Sequence, residues 1–434
     1  MYHGLAQPHH SGLIPPSLGS ILNGDASFHL TLEPIQARSS SFEQYHILID
    51  PWIAGPSSIL HPKFSSTSHA DAPCISSLRE LPEPDLVIIS HKKSAHCHEA
   101  TIRQLAPKDS KTLILAVPAA ARLIRSWKHF EKAKIKTLDR WQHPRKATRD
   151  TCFRIPVPSQ LLGGGDGEVT VSYISHRKRH PRGHHSAIGI TYRPPTSESF
   201  AFWRQTATPP LTPSSTVSAL PPRLPAARRL SKLNLPPSMS WAVNSGSQPS
   251  PASPLNHTSR HTRSSACPSS HARDRCVSVV FSPHGIPYSS LEPYATSHLL
   301  TEAALPLTAL LHCFETAHSP WCLGGKGSSG IHPGQEIATA LGARAWISTY
   351  DGNKIATGLA RRFTGKTNKY DSQQMQHMLR IVFEEAAKAG GTEPFAGRKK
   401  QEDVIEILAL KSGAQVTLTS QGVWAEPTTP PLPL

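Results

Sequence analysis

The sequence lacks the features that mark several common classes of protein. Its seven cysteines are odd in number and form no Cys-x-x-Cys pair, so neither a disulfide framework nor a zinc ribbon is indicated. No run of about 18 apolar residues is present, and residues 1–20 lack the basic and apolar regions of a secretory signal. At 434 residues, the chain is long enough to bury a sizeable core without such supports. We therefore expect a soluble protein of the cytoplasm or nucleus that has no membrane partner.

Acidic residues are also scarce, and the resulting excess of positive charge is unevenly placed. The chain has 46 Lys and Arg against 30 Asp and Glu, a net charge of +16. Residues 204–275 contain nine of these basic residues and one acidic residue, Asp274, in a sequence rich in Pro, Ser and Thr. Such a segment buries too little apolar surface to offset its ordering entropy, which predicts a disordered insertion. A solvated basic tether is favoured, and a nucleic-acid partner is the alternative.

Short apolar runs alternating with amphipathic stretches predict an α/β fold in layers. Strands are predicted at 26–35, 45–52, 86–90, 112–118, 169–175, 186–194, 276–282 and 343–349. Helices are predicted at 120–134, 334–342 and 373–390, and 298–314 is predicted to be a helix or a helix pair interrupted near Pro306. Residues 54–83 are expected to form an irregular loop. The expected organisation is a flexible arm (1–20), two halves of one domain (21–203 and 276–425) around the insertion, and a flexible tail (426–434).

Histidines and aspartates follow several of these strands. SHKKSAHCH (90–98) follows the buried run LVIIS, and a tight loop there can aim imidazoles into a cleft. Asp50, His176, His284 and Asp351 come at or just after the ends of four other predicted strands.

The order of these strand ends resembles the metallo-β-lactamase superfamily. The text around SPHGIP and LLTEAALPLTALLHCF is most similar to a fungal-type branch of it. The resemblance implies an αββα sandwich, in which two mixed β-sheets face each other and helices flank them. The predicted halves, before and after the insertion, would share this sandwich.

The resemblance also identifies departures from the superfamily's His-x-His-x-Asp-His motif. His91 and His96 stand at its first and last histidines, but Lys93 replaces the second histidine and Ala95 replaces the aspartate. His284 lies where a metal-bridging aspartate is expected, and Tyr350 replaces the terminal histidine. A lysine ammonium has no lone pair and repels a cation. The implied site is therefore a degenerate one.

The candidate site consists of three possible metal ligands and a surrounding group. The ligand candidates are His91, His96 and His176, and the surrounding residues are Asp50, Lys93, His98, His284, Tyr350 and Asp351. The expected cofactor is one zinc or other divalent ion, or none. In a chain with 25 histidines, His96 and His98 are also typical of an ordinary polar loop. Asp50 is equally typical of a carboxylate that accepts hydrogen bonds from backbone amides in its own turn. A Cys97 thiolate nucleophile is a further alternative.

Three functions remain open at this point. The leading interpretation is a hydrolase-type fold with a damaged metal site, weakly catalytic or non-catalytic, that binds an unknown small molecule. The second is an active metal-dependent hydrolase of a small ester, lactone or phosphodiester that uses a single-metal histidine site. The third is a nucleic-acid-associated protein that uses the basic insertion.

Overall fold

The structure of this chain is a computed structural model. It describes residues 17–33, 44–53, 55–59, 61, 63–159, 165–175, 185–195, 276–318, 326–349, 351–359, 367–388 and 405–423. All of them belong to one unit of the chain, made of residues 1–204 and 270–434. The predicted insertion up to Arg275, most of the predicted arm and the predicted tail lie outside the described residues.

The described residues form strands, short helices and one longer helix. The strands are β1 (Ser17–Ile21), β2 (Phe28–Leu32), β3 (Tyr45–Ile49), β4 (Ser57–Ile59), β5 (Ser65–His69), β6 (Leu86–Ile89), β7 (Leu113–Ala116), β8 (Ile135–Thr137), β9 (Phe153–Val157), β10 (Gly167–Ser175), β11 (Ser186–Arg193), β12 (Val277–Ser282), β13 (Ala309–His312), β14 (Thr316–His318), β15 (Lys326–Ser329), β16 (Ala345–Ser348), β17 (Lys354–Thr357), β18 (Thr367–Asn368), β19 (Glu406–Leu408), β20 (Gln415–Thr419) and β21 (Gly422–Val423). The α-helices are α1 (Glu99–Ile102), α2 (Pro118–Ser126), α3 (Tyr288–Tyr294), α4 (Ile331–Ala340) and α5 (Ser372–Lys388). Leu78–Glu80 and Lys132–Lys134 are 3-10 turns, and Ala295–Leu299 continues α3 as a π-helix.

Two large mixed sheets dominate the fold. The first has the strand order β21-β20-β1-β2-β3-β6-β7-β8, and the second has the order β19-β16-β13-β12-β11-β10-β9. In the first sheet, β3, β6, β7 and β8 are parallel, whereas β1, β2, β3, β20 and β21 pair antiparallel. In the second, β12, β13, β16 and β19 are parallel, and β9 to β12 pair antiparallel. Two three-stranded sheets, β15-β14-β18 and β17-β5-β4, complete the set.

The two large sheets face each other across a shared apolar core. Alternate residues of β12 enter it, namely Val277, Val279 and Phe281, whereas β6 is buried along its whole length. Phe28 of the first sheet meets Phe281 of the second with ring centroids 6.1 Å apart. Buried residues of α2 complete this core, whereas α3, α4 and α5 pack with the second sheet in a separate cluster that contains Trp346. The predicted αββα sandwich is confirmed.

The sheets do not coincide with the two sequence halves. Strands β9, β10 and β11 come before the insertion but belong to the second sheet, next to β12. Strands β20 and β21, near the end of the chain, close the first sheet against β1. Strand β1 also begins at Ser17, inside the predicted flexible arm.

Two local predictions were wrong. Residues 298–314 were predicted to be helical, but the helix ends before Pro306 and ALLH forms the buried strand β13. A short run that is apolar on all sides cannot be assigned to strand or buried helix by periodicity. The expected loop at 54–83 contains the strands β4 and β5. Their serine-rich sequences have no alternation of apolar and polar residues that would predict a strand.

The parallel strands of both sheets direct their carboxyl ends to loops that carry polar residues. Asp50 follows β3, His91 and His96 follow β6, and His284 follows β12. Such carboxyl-end loops are where α/β sheets usually build sites. Among the described residues, no helix is both long enough and apolar enough to cross a membrane.

Candidate metal centre

Three buried histidines meet between the two sheets. One nitrogen from each of His91, His96 and His284 lies within 4.8 Å of the other two, and this is the one such group of potential ligands in the described residues. The ring centroids are 4.9 Å apart for His91–His96, 5.0 Å for His91–His284 and 4.9 Å for His96–His284. The three side chains are at most 6% exposed.

Asp50 fixes the orientation of His96. It lies just after β3 in the left-handed region (φ 44°), a conformation that aspartate tolerates better than most residues. Its Oδ1 accepts a hydrogen bond from the Ser90 amide at 2.7 Å, and its Oδ2 contacts His96 Nδ1 at 2.8 Å. The Ser90 hydroxyl also donates to Oδ2. A carboxylate at Nδ1 directs the other nitrogen, Nε2, towards a ligand position.

His284 arrives from the opposite sheet. Its Nε2 lies 2.9 Å from Nε2 of His96, a hydrogen-bond distance between two imidazoles. Since Asp50 accepts the proton of His96 Nδ1, His96 Nε2 offers its lone pair and His284 Nε2 donates. Gly285 (φ 79°) follows His284 and turns the chain towards α3.

His91 is held by two serines, one from each sheet. The Ser90 hydroxyl lies 2.8 Å from its Nδ1, and the Ser186 hydroxyl, at the start of β11, lies 3.1 Å from its Nε2. Because the Ser90 hydroxyl already donates to Asp50, it accepts from Nδ1 of His91, and the Ser186 hydroxyl then donates to Nε2.

Burial keeps His96 neutral. Burial, together with the ammonium of Lys93, lowers the pKa of His96 from 6.5 to about 3. Burial also raises the pKa of the Asp50 carboxyl to about 7, while His91 and the bonds from Ser90 oppose this. Neutral imidazoles are the form in which histidine binds a metal.

The donor set fits one divalent ion. Three imidazoles are a known zinc donor set, and nitrogens bound to one tetrahedral zinc ion lie about 3.3 Å apart. His96 Nε2 and His284 Nε2, now 2.9 Å apart, would have to separate only slightly. His284 would bind through Nε2 once its proton moves from Nε2 to Nδ1, which gives the other neutral tautomer.

The remaining predicted residues divide into three groups. His176 and Tyr350 lie outside the described residues. Asp351 accepts hydrogen bonds from the amides of Phe314 and Glu315 at 2.7 and 2.9 Å, so it holds the loop after β13. Lys93 is half-buried, and its carbonyl accepts from the His96 amide at 2.9 Å.

His98 and Cys97 do not join the cluster. His98 turns away to Thr101, with its Nδ1 2.9 Å from the hydroxyl, and packs against Trp52. The Cys97 thiol is 2% exposed, and burial raises its pKa well above the usual range. It is therefore a buried thiol, and the interpretation as a thiolate nucleophile is wrong.

The sequence placed His284 among the surrounding residues, at the position of a metal-bridging aspartate, and it missed Asp25 and Lys354 entirely. Asp25 lies in the turn between β1 and β2, is fully buried, and forms an ion pair with Lys354 of β17 at 2.9 Å. One signal was available: a lone acid, in NGDAS, between two apolar strands.

Comparison with solved structures finds similar chains. No family model matches the chain, and no curated protein does. The solved structure of Igni18, a metallo hydrolase from the hyperthermophilic archaeon Ignicoccus hospitalis KIN4/I, is similar over 92% of this chain and 97% of its own. The two are 9% identical, with a TM-score of 0.38.

Proposed function

We propose that this chain is a metallo-hydrolase-like protein that binds one divalent ion, zinc in the simplest case, through His91, His96 and His284. We also propose that its hydrolytic activity is weak or absent. The observation that supports the proposal is the convergence of three buried imidazoles from both sheets, with Asp50 behind His96.

The donor chemistry favours zinc over magnesium or calcium. Imidazole nitrogen suits zinc and other late transition metals, whereas magnesium and calcium take oxygen ligands. The group holds three nitrogens and no carboxylate oxygen among the described residues. One group of this size supports one ion, not two.

Two features argue for weak binding and poor turnover. The field of the Lys93 ammonium reaches His96, so a cation in the cluster is repelled. The three side chains are almost inaccessible, and a catalytic zinc site needs an open position for water and substrate. A bound ion would polarise a carbonyl or phosphoryl oxygen and lower the pKa of a bound water. Asp50 would orient His96 and accept its proton.

Metal analysis of the purified protein tests the proposal. The protein is expressed with zinc, iron and manganese supplied in turn, and bound metal is measured per chain. We expect up to one zinc ion per chain, removable by a mild chelator. His284→Ala should lower the zinc content and affinity at least tenfold, because it removes one of three ligands.

His98→Ala is the matched control, since His98 lies in the same loop but outside the cluster. It should retain the zinc stoichiometry of the unaltered chain. No zinc under any of these conditions, or an unchanged affinity in His284→Ala, would overturn the proposal. Rapid hydrolysis of an ester, lactone or phosphodiester by the zinc-loaded protein would favour the active hydrolase instead.

A further inference from the structure

A buried ion pair that is not part of the proposed metal ligands contributes charge near the histidine cluster. Asp25 is fully buried, and its Oδ1 lies 2.9 Å from the ammonium of Lys354. Within the described residues, neither Asp25 oxygen accepts a hydrogen bond of normal geometry. The ion pair with Lys354 is thus the main polar contact of the Asp25 carboxylate, which is shielded from water.

Backbone and side-chain contacts place Asp25 beside the cluster. Asn23 in the same turn donates to the carbonyl of Trp52 at 2.9 Å, and Ser27 donates to the carbonyl of Asp50 at 2.7 Å. The turn is therefore bound to the segment that holds His96. On its other side, the Thr349 hydroxyl, after β16, donates to the Asp25 carbonyl at 3.3 Å.

Close packing leaves Asp25 little freedom to leave this place. A side chain at Gly352 would lie 2.7 Å from the Gly24 carbonyl oxygen and 3.3 Å from the Asp25 Cβ. Held in this place, the charges of Asp25 and Lys354 act on the cluster at a distance.

The charges of Asp25 and Lys354 bear on how strongly the histidine cluster would bind a dication. Three neutral imidazoles contribute no negative charge to a dication. Asp50, behind His96, supplies one negative charge, and Asp25 is the nearby candidate for a second. Lys354 offsets the charge of Asp25, and Lys93 adds further positive charge close to His96.

We propose that the buried Asp25–Lys354 pair sets the cation affinity of the His91, His96 and His284 cluster. Asp25 is the charge-balancing carboxylate of the bound ion, and Lys354 is the cation that competes with it. Asp25 is not a direct ligand, because its carboxylate is not one of the groups that converge within 4.8 Å. This inference rests on the proposed zinc site and assigns two residues to its control.

The test measures zinc affinity with a competing chromophoric chelator, on full-length protein freed of metal. Asp25→Asn keeps the shape of the side chain but removes its charge, and should weaken zinc binding roughly tenfold or more. Lys354→Met removes the competing charge and should strengthen binding by a similar factor. Effects of opposite sign from the two halves of one ion pair are not expected of general damage to the fold.

A second ion pair supplies the control. Asp85 and Lys111 are paired at 2.8 Å at the other end of β6, away from the loop that carries the cluster. Asp85→Asn and Lys111→Met should leave the zinc affinity within about threefold of the unaltered chain. Thermal melting of each metal-free variant checks that it folds.

The outcomes separate this inference from the proposed function. If neither the unaltered chain nor Lys354→Met binds zinc, the proposed zinc site itself is wrong. If the unaltered chain binds zinc and Asp25→Asn binds it equally well, only the inference fails. Should a single variant fail to fold, the double variant Asp25→Asn/Lys354→Met removes both charges and should bind zinc nearly as the unaltered chain does. A double variant with zinc binding at least tenfold weaker would contradict the opposing roles.

Discussion

At the scale of the residue, Asp50 is the side chain on which the geometry of the site depends most. It is fully buried, and it accepts from the Ser90 amide, the Ser90 hydroxyl and His96 Nδ1. Asp50→Ala would leave these buried donors without an acceptor and place alanine at a φ of 44°. We expect a loss of about 2–4 kcal/mol in the free energy of unfolding of the metal-free protein.

Urea unfolding, with midpoint and slope both measured, checks this loss. Asp50→Asn should lose less, because its amide oxygen still accepts from Ser90 and asparagine tolerates the left-handed region. Asp139→Ala is the matched control: the Asp139 side chain is 48% exposed in an ion pair with Arg149, so its loss should stay within about 0.5 kcal/mol. An Asp50→Ala variant as stable as this control would show that the hydrogen bonds of Asp50 do not stabilise the fold.

At the scale of the element, the close approach of α4 to the second sheet depends on Gly334. An added Cβ there would lie 2.2 Å from Cζ2 of Trp346, a fully buried ring of β16. Alanine normally favours a helix over glycine by about 1 kcal/mol, but overpacking a core costs about 1–3 kcal/mol or more. Gly334→Ala should therefore lower the free energy of unfolding, despite its better helix propensity.

The comparison for this prediction is Gly19→Ala in β1. An added Cβ at Gly19 would meet its nearest neighbour, Leu30 Cδ2, at an ordinary contact distance of 3.5 Å. This variant should be neutral or slightly stabilising in the same thermal melt. Equal melting temperatures for Gly334→Ala and the unaltered chain would mean that α4 can move outward at little cost.

The sequence predicted elements well where apolar runs were bounded by turns, and poorly where other signals were needed. LVIIS and VTVSYIS are strands as expected, and the helix predicted at 334–342 ends before Gly342 (φ 58°). ALLH was predicted to be helical because a run buried on both faces has no period that distinguishes a strand from a helix.

The packing of the two large sheets against each other was the part of the site that could not be predicted. His284 follows β12, and its approach to His96 depends on how the two sheets pack, which the sequence of neither sheet specifies. The motif around residues 90–98 was sufficient to select His91 and His96 as candidates, because two residues of one loop are local. The Asp25–Lys354 pair joins positions more than three hundred residues apart, with no motif at either end.

At the scale of the whole molecule, many imidazoles are buried in a chain that is rich in histidine. Burial lowers the pKa of seven described histidines, His29, His46, His69, His96, His98, His298 and His312. Each is easier to protonate in the unfolded chain than in the folded one. Protons therefore favour unfolding, and each of these groups makes the protein less stable as the pH falls. Asp50 and Glu315, with pKa values raised to about 7, contribute in the opposite sense.

His29 allows the effect of a buried imidazole on acid stability to be measured away from the histidine cluster. It lies on β2, is 8% exposed, and stacks on His46 with ring centroids 5.2 Å apart. Burial, together with the charge of His46, lowers its pKa from 6.5 to about 4. The stability that neutral His29 contributes is present above pH 6.5 and is lost as the pH falls towards 4. Between pH 7 and pH 5 this loss amounts to about 2 kcal/mol.

His29→Phe keeps an aromatic ring against His46 but removes the titration, so the variant should lose about 2 kcal/mol less than the unaltered chain between pH 7 and pH 5. Urea unfolding of both proteins at the two pH values gives this difference directly, and the opposing carboxyl groups cancel because both proteins contain them. Leu30→Ala, next to it on β2, removes apolar contacts without changing a charge. It should therefore lower stability by the same amount at both pH values. If His29→Phe instead follows the acid response of the unaltered chain, His29 is protonated in the folded protein without penalty, and acid sensitivity must come from the other buried imidazoles.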